Sequence, residues 1–284
     1  MKKIWIACAV MAAFSLNAQV KTPAPSPKAT VDQVVGLTDV EVVYSRPSAK
    51  GRTVFGDLVP FGKVWRAGAN ANTTISFSED VTIEGKTLAK GKYALFVNPK
   101  AESWDVYFYS KTDNWGTPET WNDADVALKT NAKTIMLNHP VETFTIGIGT
   151  LSNDSGSIDI SWERTMVSIK FDVPTSKVAL ASIETTLSGG SATERDYFSS
   201  AQYLYQSNGD LNKALTYVNK AVELNKDKDK PFWYLRQKSL IQAKLGDKKG
   251  AIETAKLSLA GAEKANNGDY VKMNRDSIAE WGKK

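Results

Sequence analysis

The spacing of apolar residues changes once along the chain, near Pro174, and this change constrains the fold more than any other feature. Before it, apolar and polar residues alternate, as in the run Val40, Val42 and Tyr44, which is typical of strands with one buried face. After it, apolar residues recur at the spacing of amphipathic helices. The sequence therefore predicts a multidomain β + α chain, a β domain followed by a helical region.

The β region extends over residues 31–173 and contains roughly ten short alternating runs. Turn-forming pairs such as Glu84-Gly85 and Lys90-Gly91 separate the runs. Short strands at this spacing predict an antiparallel β-sandwich or a jelly-roll-like barrel. The strand order is left open by a pattern of this kind.

The first 18 residues have the layout of a secretory signal peptide. Lys2 and Lys3 precede an apolar run over residues 4–16, and cleavage is expected after Ala18. The run is shorter than the roughly 20 apolar residues of a membrane span. We therefore expect a periplasmic or secreted protein, with residues 19–30 as a linker and no transmembrane segment in the mature chain.

Cysteine and charge exclude further classes. The single cysteine, Cys8, lies inside the predicted signal peptide, which excludes a disulfide scaffold and a zinc site of several thiolates in the mature chain. Residues 19–174 carry 16 Lys and Arg against 18 Asp and Glu, whereas residues 175–284 carry 18 against 13. The positive charge thus belongs to the helical region. Export makes nucleic acid an unexpected partner. The opposite charges instead favour docking of the helical region on the β domain, or an acidic envelope partner for the helical region.

Two units of the helical region, residues 174–284, share a Gly-Asp pair followed by an alanine four residues after the aspartate. The six residues are Gly209, Asp210, Ala214, Gly246, Asp247 and Ala251. Glycine permits the turn, aspartate caps the second helix, and alanine lets the helices approach. The 37-residue spacing resembles the tetratricopeptide repeat, a helix-turn-helix unit with a period of about 34. The resemblance implies a short helical array that presents a surface to a peptide or protein.

The stretch that follows the first predicted strand carries the most specific signal. It reads Val43-Tyr-Ser-Arg-Pro-Ser-Ala-Lys-Gly-Arg52, then Val54-Phe-Gly-Asp-Leu-Val-Pro-Phe-Gly-Lys-Val-Trp-Arg66, Gly68-Ala-Asn70 and, later, Gly91-Lys-Tyr-Ala-Leu-Phe96. These motifs resemble an uncharacterised family of exported bacterial proteins, the domain-of-unknown-function family numbered 2911, over about residues 26–173. The resemblance implies an exported β-rich domain, often with helical repeats behind it. It implies no activity, substrate or catalytic residue.

Candidate ligand-binding residues lie in two loops. The first set, in the glycine-rich stretch, is Arg46, Arg52, Arg66 and Asn70; the second is Trp115 and Trp121. Guanidinium groups suit carboxylates and phosphates, and exposed indole rings suit sugars or a protein partner. The alternatives are that the arginines bond loop carbonyls, and that the tryptophan loop folds back over the core.

No catalytic motif is evident. Histidine occurs once, at His139, and the sequence contains no metal-ligand motif, no phosphate-binding loop and no nucleophile beside a base. We therefore expect no metal and no cofactor, and the leading hypothesis is a non-enzymatic, exported protein-binding or scaffolding module. One alternative is a β domain that binds a glycan or a small anion. The other is a hydrolase with scattered carboxylates, among them Glu79, Asp80, Asp123 and Asp125.

Overall fold

The computed structural model describes residues 22–226 and 231–283, so the predicted signal peptide lies outside the described residues. The strands are β1 Lys28–Val35, β2 Thr38–Ser45, β3 Thr74–Phe77, β4 Val81–Ile83, β5 Lys86–Leu88, β6 Gly91–Pro99, β7 Ser103–Tyr109, β8 Val126–Gly149 and β9 Ser155–Asp172. The helices are α1 Thr175–Ser188, α2 Glu194–Gln206, α3 Leu211–Leu224, α4 Phe232–Lys244, α5 Lys248–Lys264 and α6 Gly268–Trp281. The predicted β domain followed by a helical region is confirmed. In the part of the chain that the structure describes, no helix has both the length and the apolar character to cross a membrane.

All nine strands belong to one antiparallel sheet, in the order β1-β2-β3-β6-β7-β8-β9-β4-β5. The turn between β4 and β5 consists of Glu84 and Gly85, whose φ angles of 48° and 75° suit a two-residue type I′ turn. Strand β8 is long because it has two successive partners, β7 for its first part and β9 for its second. The sandwich or jelly-roll arrangement stays a prediction.

The inward side chains of all nine strands belong to one core cluster. Val35 of β1 and Leu88 of β5, from opposite ends of the sheet order, are both in it. The sheet therefore curves around a single core. Trp104 and Trp162, which the alternating pattern predicts to be buried, are fully buried there.

The segment between β2 and β3, residues 46–73, closes one end of this core. The N–H of Ala49 donates to the oxygen of Glu142 at 2.8 Å, and the N–H of Phe144 donates to the oxygen of Pro47 at 2.8 Å. Farther along, Trp65 and Val97 exchange backbone hydrogen bonds of 2.7 and 2.9 Å. Strand-like pairing with β8 and β6 therefore holds this irregular segment in place.

Helices α2 to α6 pack on one another in chain order. Leu204, Val218 and Ile241, from α2, α3 and α4, share one apolar cluster. Among the described residues, hydrogen bonds of α2–α6 do not reach the β domain; the bond from Tyr203 Oη to Ser176 Oγ, at 3.3 Å, joins α2 to α1. These helices therefore form a packed unit of their own.

The two Gly-Asp turns lie between successive helices. Asp210 caps α3, because its Oδ1 accepts hydrogen bonds from two backbone N–H groups at 2.9 and 3.0 Å. Asp247 caps α5 through the N–H of Gly250 at 2.9 Å. Ala214 and Ala251 are fully buried. The identification of these units as tetratricopeptide repeats stays a prediction.

Candidate ligand-binding site

A recess of about 540 Å³ opens where the 46–73 segment meets β9. We call it the Trp65 recess. The described residues that line it include three cations, Lys50, Arg52 and Arg66, and no aspartate or glutamate. The remaining lining is mostly apolar, which leaves the positive charges without a neutralising group inside the recess.

Stacked indole rings form the floor of the Trp65 recess. The ring centroids of Trp65 and Trp162 are 5.8 Å apart, with 19° between the ring planes. Phe144 packs edge-on against Trp65 at 5.2 Å, and the Nε1 of Trp162 donates to the oxygen of Glu142 at 3.1 Å. Trp162 is 1% exposed, whereas Trp65 keeps part of its surface exposed. The floor is therefore rigid and aromatic.

Tight bends shape the wall of the recess. Lys50 and Gly51 both have positive φ angles, 52° and 72°, in a turn closed by the hydrogen bond from Arg52 N–H to Ala49 O at 3.1 Å. Gly68 has a φ of 150°, and a Cβ there would lie 2.9 Å from the backbone oxygen of Ser45. Glycine is required at position 68, since both the backbone angle and the space exclude a side chain.

Two carboxylates fix the wall from β8 and β9. Glu142 Oε1 accepts from the N–H of Lys50 at 2.8 Å, and Glu163 Oε2 accepts from the N–H of Val54 at 3.1 Å. Glu163 has a positive φ of 53° and lies at an irregularity in the β8–β9 pairing. Both carboxylates bind backbone donors of the wall and do not belong to the recess lining.

The four residues of the first predicted set divide into two pairs. Arg46 bonds β8, with Nε donating to Phe144 O at 3.0 Å and Nη2 to Thr145 Oγ1 at 2.8 Å. Asn70 Nδ2 donates to Ser26 O at 3.2 Å. Neither side chain lines the Trp65 recess, whereas Arg52 and Arg66 do.

Arg52 and Arg66 keep donors that the described residues do not occupy. Arg52 Nε donates to Ala49 O at 2.9 Å and Nη2 to Ser48 O at 2.8 Å, which leaves Nη1 for a ligand. The Nε of Arg66 is buried without a partner among the described atoms. No ion pair of the described residues involves Lys50, Arg52 or Arg66.

The two predicted tryptophans, Trp115 and Trp121, both lie in the loop over residues 110–125, but their surroundings differ. Trp121 covers the outer face of β6 and β7, with its ring 5.5 Å from Phe96 and 4.8 Å from Tyr109. Trp115 is 76% exposed. It adjoins Gly116, where a Cβ would lie 2.5 Å from Nη1 of Arg66. Trp115 is thus adjacent in sequence to Gly116, which lies against Arg66 of the recess.

The carboxylates considered for hydrolysis belong to two separate turns. Asp80 Oδ1 accepts from the N–H of Lys90 at 2.8 Å. Asp125 accepts from Lys111 Nζ at 2.8 Å, and this hydrogen bond is the main cause that holds the pKa of Asp125 below its ordinary value. Neither turn contributes to the Trp65 recess. Across residues 22–226 and 231–283, no group of three or more His, Cys, Asp or Glu could hold a metal ion.

Sequence reasoning missed Lys50, Trp65 and Trp162 as recess residues. Trp162 has the alternating pattern of a core strand, and Lys50 and Trp65 stand in an irregular stretch. They come together because the 46–73 segment pairs with β8 and β6. No local pattern carries that information.

Comparison with known proteins identifies the family of the β domain. The model of a family described as a protein of unknown function (DUF2911) matches residues 26–171, which is 146 of the 284 residues. The match spans the β domain as far as Phe171 and ends before α1. No curated protein and no solved structure gives a significant match. The chain therefore belongs to the DUF2911 family, with a helical region after the matched domain.

Proposed function

We propose that the protein is an exported binding protein whose β domain takes up a small anionic ligand in the Trp65 recess. The observation that carries the proposal is the lining, which contains Lys50, Arg52 and Arg66 and no carboxylate among its described residues. The positive charges that line one recess repel each other, and a bound anion offsets this repulsion. Export follows from the predicted signal peptide and belongs to the same proposal.

Arg52 is the residue best placed to orient the anion. Its two backbone hydrogen bonds hold the guanidinium in place, while Nη1 stays available at an exposed position. A donor that is already oriented loses little conformational freedom when it binds a carboxylate or phosphate oxygen. Lys50 adds a second exposed positive charge from the adjacent turn.

Thermal-shift and calorimetric titrations with benzoate, glucuronate and phosphate test this function. At least one anion should raise the melting temperature of the mature chain, because a ligand of the native state stabilises it. Arg52→Gln should abolish the shift. Arg195→Gln, which removes the same charge from an exposed position of α2, should retain it. The proposal fails if no anion stabilises the protein, or if both variants respond alike.

We also propose that the helical region binds an acidic segment of another protein, which is the scaffolding role in a narrower form. Arg236 of α4 is partly buried, and burial lowers its pKa. It donates to Ser277 Oγ at 3.0 Å and lies 6.0 Å from the ring centroid of Trp281. No ion pair of the described residues involves it. A partly buried cation without an acid favours an acidic partner.

Fluorescence anisotropy with a labelled hexaglutamate peptide tests the second role. Arg236→Gln should weaken binding by about tenfold, which corresponds to about 1.4 kcal/mol. The matched control is Arg275→Gln, because Arg275 already pairs with Glu263 at 2.6 Å, and its loss should change affinity little. Equal effects of the two substitutions would show that only overall charge matters and would reject the role of Arg236.

A further inference from the structure

We propose that the ligand of the Trp65 recess is an amphiphilic carboxylate, an aromatic or medium-chain acid. This inference rests on the anion-binding function proposed above and adds the chemical class of the ligand. It depends on what the recess offers apart from its three cations. Phosphate and hydrophilic sugar acids are the competing classes.

The wall and floor of the recess are apolar where they face the ligand space. Pro47, Leu58, Val59, Trp65 and Trp162 contribute to the lining. Leu58 is 41% exposed and belongs to the same lining as the three cations. Val59 and Trp162 are already buried, so a ligand would remove from water the remaining exposed surface of Pro47, Leu58 and Trp65. The free energy of binding falls in proportion to the apolar area covered.

Hydroxyl partners for a sugar are scarce among the described lining residues. The lining contains the hydroxyl side chains of Ser26 and Ser48, and Ser48 Oγ already shares a hydrogen bond of 3.2 Å with Thr143 Oγ1. A sugar acid carries several hydroxyl groups, each of which loses water on entry and needs a partner. The recess therefore discriminates against a polyhydroxylated ligand.

The volume of the recess also favours a ligand larger than an inorganic anion. About 540 Å³ falls within the range of roughly 300–1,000 Å³ that encloses most of a drug-sized molecule. Phosphate would occupy a small part of this space and would leave the indole floor uncovered. An acid with a bicyclic ring or a chain of eight to ten carbons covers the floor and still presents one carboxylate.

Burial indicates how such an acid would be oriented. Lys50 and Arg52 are exposed, whereas Arg66 is partly buried and Trp162 fully buried. Two of the three cations therefore lie at the mouth, and the indole rings lie at the bottom. The carboxylate would bind Arg52 Nη1 at the mouth, and the apolar body would lie on Trp65. The wall held by Glu142 and Glu163 fixes this arrangement before the ligand arrives.

Isothermal titration of the mature chain with matched ligands tests the ligand class. The series is acetate, hexanoate, octanoate, benzoate and 2-naphthoate, with 2-naphthalenemethanol as the neutral analogue and glucuronate and phosphate as hydrophilic anions. Affinity should rise about fourfold for each added CH₂ that is buried, and 2-naphthoate should bind more tightly than benzoate. Arg52→Gln should weaken 2-naphthoate by about tenfold or more and leave 2-naphthalenemethanol unchanged.

Leu58→Asn separates the apolar contribution from the charge. It should weaken 2-naphthoate severalfold without changing phosphate binding, and Leu180→Asn, at a 48% exposed position of α1, should change neither. If glucuronate or phosphate binds more tightly than 2-naphthoate and depends on Arg52, the ligand class is wrong while the anion-binding function stands. If 2-naphthoate binds no better than its neutral analogue, the ligand class is rejected. If, in addition, neither glucuronate nor phosphate binds, the anion-binding function is rejected with it.

Discussion

At the scale of single residues, Tyr44 shows how the closed end of the β domain is stabilised. Its Oη donates to the oxygen of Ile146 and accepts from the N–H of the same residue, each at 3.1 Å. Tyr44 is 3% exposed, so both backbone groups are satisfied away from water by one hydroxyl. This contact joins β2 to β8 beside the pairing of the 46–73 segment.

Tyr44→Phe should lower the free energy of unfolding by about 1–3 kcal/mol, because it leaves a buried N–H and a buried oxygen without partners. Urea denaturation measures the loss. Tyr197→Phe is the matched control, since the hydroxyl of Tyr197 makes no hydrogen bond within the described residues and its removal should cost less than about 0.5 kcal/mol. Equal losses in the two variants would contradict the role of Tyr44.

Residue chemistry could be predicted from the sequence more easily than residue neighbours. The density of arginine and glycine in the 46–73 segment predicted either an anion site or arginines that bond loop carbonyls. Arg52 and Arg66 line the Trp65 recess, and Arg52 also bonds the oxygens of Ser48 and Ala49. Arg46 and Asn70 belong to the same segment, yet their side chains donate to backbone oxygens of distant segments. Which side-chain donors bond distant backbone oxygens depends on how the segments pair in the folded protein. This pairing cannot be predicted from a single sequence.

At the scale of elements, the 110–125 loop is anchored by one carboxylate. Asp125 accepts from Lys111 Nζ at 2.8 Å, from Asn122 Nδ2 at 3.0 Å and from Tyr109 Oη at 3.2 Å. The N–H of Ser110 donates to the backbone oxygen of Asp125 at 2.8 Å. These bonds close both ends of the loop, so Trp121 is held over β6 and β7.

Acid should loosen this loop. The pKa of Asp125 is lowered, chiefly by the Lys111 hydrogen bond, so its contribution to stability is full above the ordinary aspartate pKa of about 3.9. That contribution is lost as the pH falls through the lowered value of the folded protein. The ¹⁹F signal of 5-fluorotryptophan at position 121 should report the change. Asp125→Asn should remove this acid transition; its persistence would reject Asp125 as the titrating group.

Helix caps give a second prediction at this scale. Asp210→Ala should destabilise the helical region by about 1 kcal/mol, because two N–H groups of the first turn of α3 lose their acceptor. Asp210→Asn should lose much less, since asparagine is also a favourable cap. Urea unfolding followed by circular dichroism at 222 nm distinguishes the two. Equal stability of both variants would show that the cap contributes nothing measurable.

Helices could be predicted from the sequence more closely than strands. The two Gly-Asp turns predicted from the sequence lie directly before α3 and α5, where Asp210 and Asp247 cap the helices, because caps and periodicity are local signals. Strand β1 begins at Lys28, inside the stretch expected to be a linker, since it pairs along its length with β2. Several alternating runs merge into the long strands β8 and β9, whose continuity depends on partners elsewhere in the sheet.

At the scale of the whole molecule, the β domain meets the helices beside two of its turns, the β8–β9 connection and the β1–β2 turn. Thr175, the first residue of α1, donates from Oγ1 to the oxygen of Asn153. Gly36 lies so close that a Cβ there would overlap the Thr175 hydroxyl. The described hydrogen bonds of α2–α6 stay within the helical region. Two units that share so little are expected to unfold separately.

Core truncations in the two units should therefore act independently. Ile160→Ala, at a fully buried position of β9, should destabilise the β domain by about 2–5 kcal/mol, and Leu204→Ala should do the same to the helices. Hydrogen exchange followed by mass spectrometry reports each unit through its own peptides. If either substitution lowers protection in both units, the chain unfolds as one cooperative body.

The closure of the β domain by backbone hydrogen bonds has an evolutionary consequence. The N–H of Ala49 donates to the oxygen of Glu142, and the N–H of Phe144 donates to the oxygen of Pro47. The backbone N–H of Lys50 donates to the Glu142 carboxylate. The closure therefore constrains the path of the chain without using the Lys50 side chain. In the anion-binding role proposed above, substitutions of this side chain would change ligand preference without opening the fold. Relatives of this protein are expected to diverge in specificity at the mouth of the recess while they keep the same closure.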